Sequence, residues 1–278
     1  MSIKLIALDL DGTTLKKNHI SVSRRNRLAI SSALANGILV VPATGRFFRG
    51  IPLTIKKIPG MRYAITANGA CITDMSSDTI LYSDPIPNLT ALQILEVLQT
   101  HSVAAEVYCG GCAYSERGSV PPFIRRRFLL RFISLFQHRK KVRHLAAFVQ
   151  ACGVDIDKIE IFCWDTEAQG AIEGELRRFD VAATTSGLRS IEITNADASK
   201  GSALRHLCEE LQIPAEEVMA VGDNLNDSEM LDWAGIAVAV GNADAAIIAR
   251  ADVVVPSCDE DGVAVAIERL VLGLRTGI

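Results

Sequence analysis

Apolar positions gather in short runs that end in turn residues, and the runs fall in two groups. Residues 3–9, 38–43 and 63–66 form the first group; 190–194, 218–221, 236–240 and 253–255 form the second. A short apolar run closed by turn residues predicts a buried strand. Between the runs the spacing becomes helical. Ser23 opens a helical pattern that reaches about residue 36, with Gly37 placed to stop it. Further helices are expected at 200–211, between the strands 236–240 and 253–255, and at 262–272. Asn68-Gly69 reads as a tight hairpin turn. Strand–helix–strand alternation predicts a parallel sheet covered by helices.

The segment between the two groups reads differently. It predicts helices at 89–100 and near 167–178, and strands at 104–109, 159–164 and 181–185, an α+β pattern. The fold class expected is therefore α/β: a doubly wound, Rossmann-like parallel core sheet from residues 1–84 and 187–278, with an α+β domain, 85–186, inserted between its halves. Within the insertion no Asp or Glu occurs between Arg117 and Val154, while Arg125, Arg126, Arg127, Arg131, Arg139, Lys140, Lys141 and Arg143 do. Phe128, Leu129, Phe132, Ile133, Leu135 and Phe136 lie among them at helical spacing. The run reads as a solvated helix face, or as a patch that attracts an anionic substrate.

Bulk composition changes this picture little. The chain has 278 residues, 49% hydrophobic and 22% charged, with a formal net charge of −3. That balance supports a sizeable core and gives no overall electrostatic case for nucleic acid or membrane. There is no long apolar span, and the N-terminus passes straight into a strand without a signal-peptide pattern. The seven cysteines include a Cys109-x-x-Cys112 pair, but no second pair completes a zinc set, so structural thiols in a reducing cytoplasm are expected.

The chemistry collects at strand ends, where open α/β sheets bind ligands. Asp9 and Asp11 follow the first strand. Thr44, Gly45 and Arg46 follow the second. Asp223, Asn224, Asn226 and Asp227 follow a later one, and Lys200 opens a helix. Carboxylate oxygens suit a hard cation such as Mg²⁺. A lysine, a threonine hydroxyl and turn amides suit a phosphate. Together they point to phosphoryl transfer.

Four short motifs carry a resemblance: Asp9-Leu10-Asp11-Gly12-Thr13, Ala43-Thr44-Gly45-Arg46, Ser199-Lys200-Gly201 and Gly222-Asp223-Asn224-Leu225-Asn226-Asp227. In this order and spacing they resemble the haloacid dehalogenase (HAD) superfamily of aspartate-nucleophile phosphatases, on its Cof-like sugar-phosphatase branch with a type IIB cap. One departure is Thr14, where that branch more often has Leu; it lies past the functional positions. The resemblance implies that Asp9 is the nucleophile and a Mg²⁺ ligand. Asp11 is then the general acid and base and gives a backbone carbonyl to the metal. Thr44 and Lys200 hold phosphoryl oxygens with backbone amides near Leu10 and Gly45 and with Asn226. Asp223 binds Mg²⁺, and Asp227 supports that site or orients Lys200. Arg46 is a possible substrate contact. His19 and the other histidines fall outside the motifs and read as surface or core residues.

The function expected is hydrolysis of a small phosphomonoester, a sugar phosphate or related metabolite, through an aspartyl-phosphate. A phosphosugar mutase, or a catalytically weak regulatory or binding protein on this fold, are the rivals. The partner expected is a small phosphorylated metabolite, with no nucleic acid and no membrane.

Overall fold

The computed structural model of the protein describes residues 2–119, 139–186 and 190–274. Its strands in chain order are β1 (Leu5–Leu8), β2 (Leu39–Pro42), β3 (Tyr63–Thr66), β4 (Cys71–Asp74), β5 (Thr79–Ser83), β6 (Val103–Cys109), β7 (Cys112–Glu116), β8 (Arg139–Val142), β9 (Lys158–Cys163), β10 (Val181–Ser186), β11 (Ser190–Asn195), β12 (Val218–Gly222), β13 (Ile236–Val240) and β14 (Val253–Val255). A five-stranded sheet runs in the order β14-β13-β12-β1-β2 and is parallel at every pairing. Every residue of β1 and β12 is buried, as befits parallel strands covered on both faces. The chain steps from β1 to β2 in one direction and later from β12 to β14 in the other. Strand order therefore reverses between β1 and β12, which makes that junction the switch point of a doubly wound sheet.

The covering helices follow the apolar spacing. Helix Arg24–Ala35 buries Asn26, Ala29, Ile30 and Ala33, one stripe of the helix, and the Ser23 hydroxyl caps it by accepting the Asn26 N–H at 3.0 Å. Helix Lys200–Glu210 lays Ala203, Leu204, Leu207 and Cys208 against Leu5, Ala7, Val218 and Ala220. The sheet continues past β2, because Ala43 bridges Ile65 in the parallel sense and leads into a smaller sheet, β3-β4-β5. The turn at Asn68-Gly69 is wider than expected. Thr66 pairs with Cys71, so residues 67–70 all lie in the connection, with Ala67 and Asn68 in the left-handed region.

The chain divides into two compact units, one comprising Met1–Gly45, Ile51–Tyr82 and Ser199–Ile278, the other Arg46–Gly50 and Ser83–Ala198. The second holds a six-stranded sheet, β10-β11-β9-β6-β7-β8, whose Ile159, Ile161, Ile191 and Ile193 pack against the helices Asn88–Leu98, Leu145–Cys152 and Thr166–Leu176. One expectation is corrected here. The strand at 190–194 does not resume the core sheet; β11 pairs antiparallel with β9 and β10. Its sequence, Ser-Ile-Glu-Ile-Thr, alternates polar and apolar, as a strand covered on one face does. The amphipathic basic run over 120–138 lies outside the described residues. Residues beyond it are not a helix face: Arg139 opens β8, and its side chain, 8% exposed, forms an ion pair with Glu106. All seven cysteines are free thiols. Among the described residues no helix is long and apolar enough to cross a membrane.

Candidate active site

The first half of the site is the turn after β1. The Asp9 N–H donates to the Val221 carbonyl at 3.0 Å, which fixes Asp9 at the carboxyl end of β1 beside β12. The chain then curls through residues 10–14 and closes with the Leu15 N–H on the Leu10 carbonyl at 2.8 Å. Gly12 makes the curl possible. It sits at φ 86°, and a Cβ there would lie 2.3 Å from Asp223 Oδ2. The turn is held from three sides. The buried Thr14 hydroxyl donates to the Asp9 carbonyl at 2.6 Å. Asn242 Nδ2 donates to the Gly12 carbonyl at 2.8 Å. Asn26 Nδ2 reaches the Thr14 carbonyl, while its Oδ1 accepts the Ala264 N–H.

The second half comes from the far end of the chain. Ser199 caps helix Lys200–Glu210 in a reciprocal pair with Ser202, and Lys200 is thereby the helix's first residue. Its Nζ lies 2.6 Å from Asp9 Oδ1 and 2.7 Å from Asp227 Oδ1. The other Asp227 oxygen accepts the backbone N–H groups of Asp223 and Asn224 at 2.9 and 3.1 Å. Asp227 thus has both oxygens engaged, one orienting Lys200 and one closing the turn after β12. Thr13 donates to Asp223 Oδ1 at 2.7 Å, tying that turn to the first.

Three carboxylates and one ammonium share this space, and the titration of Asp9, Asp223 and Lys200 reflects it. Burial pushes Asp9 well above the usual carboxylate range, with Asp227 and Asp223 adding to the rise and Lys200 opposing it. Burial and the Asp227 charge push Asp223 up to about 6. Burial would lower Lys200, but Asp227 and Asp9 outweigh it and hold the ammonium above its ordinary value. Ligand oxygens of Asp9, Asp223 and Asp227 lie within 4.8 Å of one another. Asp9 Oδ2 is buried with no hydrogen-bond partner among the described residues. A buried carboxylate oxygen without a donor, in a cluster with excess negative charge, fits a hard divalent cation.

Of the residues singled out from sequence, Asp9, Lys200, Asp223 and Asp227 are in direct mutual contact or one bond removed. Thr44 and Gly45 leave β2 one strand over, just after Ala43, whose N–H donates to the Leu8 carbonyl. Asn226 Nδ2 donates to Asn68 Oδ1 at 3.1 Å, so Asn68 is more than a turn residue. Arg46 belongs to the inserted unit, and its Nη1 donates to the Gly50 carbonyl at 3.1 Å. The Asp11 side chain meets a residue that no motif contains: His19 Nδ1 lies 2.8 Å from Asp11 Oδ1. That corrects the reading of His19 as a bystander, and only the fold-back of the loop that carries it reveals the contact.

Fold and site define an α/β enzyme built on an acid–lysine cluster at the switch point of its sheet. Comparison with known proteins gives the same class a family. The sequence matches the haloacid dehalogenase-like hydrolases over residues 6–267. It is 32% identical to the phosphatase YwpJ of Bacillus subtilis, over 94% of this chain and 98% of that protein. It is 30% identical to the pyridoxal phosphate phosphatase YbhA of Escherichia coli, over 95% and 97%. A solved haloacid dehalogenase-like hydrolase from B. subtilis aligns with a TM-score of 0.84 at 31% identity, covering 96% of this chain and 100% of that one. The chain belongs to the haloacid dehalogenase-like hydrolases and is a phosphatase of their Cof-like branch.

Proposed function

We propose that the protein hydrolyses small phosphomonoesters, sugar phosphates or related metabolites, by way of an aspartyl-phosphate on Asp9, with Mg²⁺ as its cation. The observation that carries this reading is the buried Asp9 carboxylate, gripped by Lys200 through one oxygen and, among the described residues, without a hydrogen-bond partner at the other. Asp9 and Asp223, with the Asp11 backbone carbonyl, would hold the metal, and Asp227 would brace the turn behind it. When bound, the metal neutralises phosphate charge and stabilises the charge that develops in transfer.

The chain's own residues supply the rest. Lys200 and Thr44, with backbone amides near Leu10 and Gly45 and the Asn226 amide, bind the phosphoryl oxygens and orient phosphorus toward Asp9. An Asp9 oxygen forms a bond to phosphorus as the ester oxygen leaves, and the Asp11 carboxyl gives that oxygen its proton. The Asp11 carboxylate then takes a proton from a water, whose oxygen attacks phosphorus and releases Asp9 and inorganic phosphate. Covalent transfer splits the hydrolysis into two easier steps, and proton transfer of this kind contributes roughly 10²–10⁴-fold. The free thiols support a reducing compartment such as the cytoplasm.

Phosphate release from a panel of sugar phosphates and pyridoxal phosphate tests the reading, run with Mg²⁺, with EDTA, and with Asp9→Asn. Release is expected to need both the metal and Asp9, and ³²P from labelled substrate to be trapped on the wild type alone. Full release by Asp9→Asn would overturn the covalent route.

A further inference from the structure

His19 lies eight residues beyond Asp11, and its ring contact with the Asp11 carboxylate is built into the backbone. His19 sits at φ 58°, in the left-handed region that a residue with a side chain adopts only where its surroundings impose it. Those surroundings are a closed loop. The Lys16 N–H donates to the Ser21 carbonyl at 2.9 Å, and the His19 N–H to the Lys16 carbonyl at 2.8 Å. Asn18 Oδ1 accepts the N–H groups of Ile20 and Ser21 at 3.0 and 2.9 Å. The Thr54 hydroxyl anchors the loop from outside by donating to the Ile20 carbonyl at 2.7 Å. A strained residue held by this many bonds presents its ring to the Asp11 carboxylate, which lies apart from the Lys200 bonds to Asp9 and Asp227. Both side chains are half-buried, at 29% and 32% exposure.

We infer that His19 is a positioning residue for Asp11. Its Nδ1–H holds the Asp11 carboxylate in one rotamer, the one from which a proton reaches the leaving oxygen and returns from water. A partly exposed aspartate otherwise samples several rotamers, and a general acid acts only from within hydrogen-bond reach of its target. The inference rests on the reading of Asp11 as acid and base.

The test compares the wild type with His19→Gly, His19→Asn, Asp11→Asn and the double variant His19→Gly with Asp11→Asn. Glycine removes the ring yet suits the backbone at φ 58°, so the variant keeps its fold. Asparagine also tolerates that conformation and keeps an N–H donor. With Mg²⁺ present, kcat and KM are measured on phenyl phosphate and on p-nitrophenyl phosphate, whose leaving group needs less protonation. His19→Gly is expected to lower kcat on phenyl phosphate by roughly tenfold, and less on p-nitrophenyl phosphate, with KM within about twofold of the wild type. His19→Asn is expected to recover most of the loss. In the Asp11→Asn background, His19→Gly is expected to change nothing further, because the group it positions is gone. An unchanged kcat in His19→Gly beside an inactive Asp11→Asn would overturn the inference and leave the role of Asp11 standing. Losses that multiply in the double variant would also overturn it. Full activity in Asp11→Asn would remove the reading on which it rests.

Discussion

A single methyl group at residue 12 tests how tightly the site is drawn. Gly12 is at φ 86°, and the Cβ of an alanine would lie 2.3 Å from Asp223 Oδ2. Both the backbone and the contact oppose it, so Gly12→Ala is expected to cost about 1–3 kcal/mol. It should also cut kcat by more than its effect on folding, because the turn it distorts carries Asp9 and Asp11. Thermal unfolding beside phosphate release checks this; wild-type kcat in a destabilised protein would show that the turn can move without the carboxylates. At this scale much was legible, since Asp9, Asp11 and Gly12 are chain neighbours at the end of an apolar run. The partners of the turn were not. Thr13 bonds Asp223 across 210 residues, Asn242 reaches Gly12 across 230, and the His19 contact depends on a loop closing on itself.

At the scale of an element, the helix that starts at Lys200 has two tasks. Its apolar stripe covers the sheet, and its first residue delivers an ammonium to Asp9. The Ser199 hydroxyl sets that first residue by accepting the Ser202 N–H at 3.0 Å. Ser199→Ala is expected to destabilise the protein by about 1 kcal/mol. A loosened start should weaken the hold on the phosphoryl group and raise KM, which steady-state kinetics beside thermal unfolding would measure; a stability loss with unchanged KM would confine the cap to folding. The helix was readable in the sequence because its spacing is local. β11 was assigned to the wrong sheet because alternation says that one face is covered, not which strands lie alongside.

At the scale of the molecule, burial couples metal, protons and stability. In the metal-free protein Asp223 is pushed up to about 6 from its ordinary 3.8. Between those values the unfolded chain has lost the proton that the folded chain keeps. Its contribution to stability is therefore full below about pH 4 and is lost as pH rises through about 6. The thermal midpoint of the EDTA-treated wild type, compared with Asp223→Asn, is expected to fall with rising pH across this window. If the cluster holds the proposed cation, the cation binds the ionised form, so Mg²⁺ should raise the midpoint more at pH 7 than at pH 4.5. Equal gains at both pH values would place the cation elsewhere. The sequence by itself determined the buried strands, the interruption of the core by an insertion and the residue types at the strand ends, because apolar runs and turn residues are local properties of the chain. Only the tertiary structure decided which sheet β11 joins, that Lys200 meets Asp9 from 191 residues away, and how far burial shifts their protons. Strand pairing and desolvation depend on which segments end up side by side, and chain order alone does not contain that.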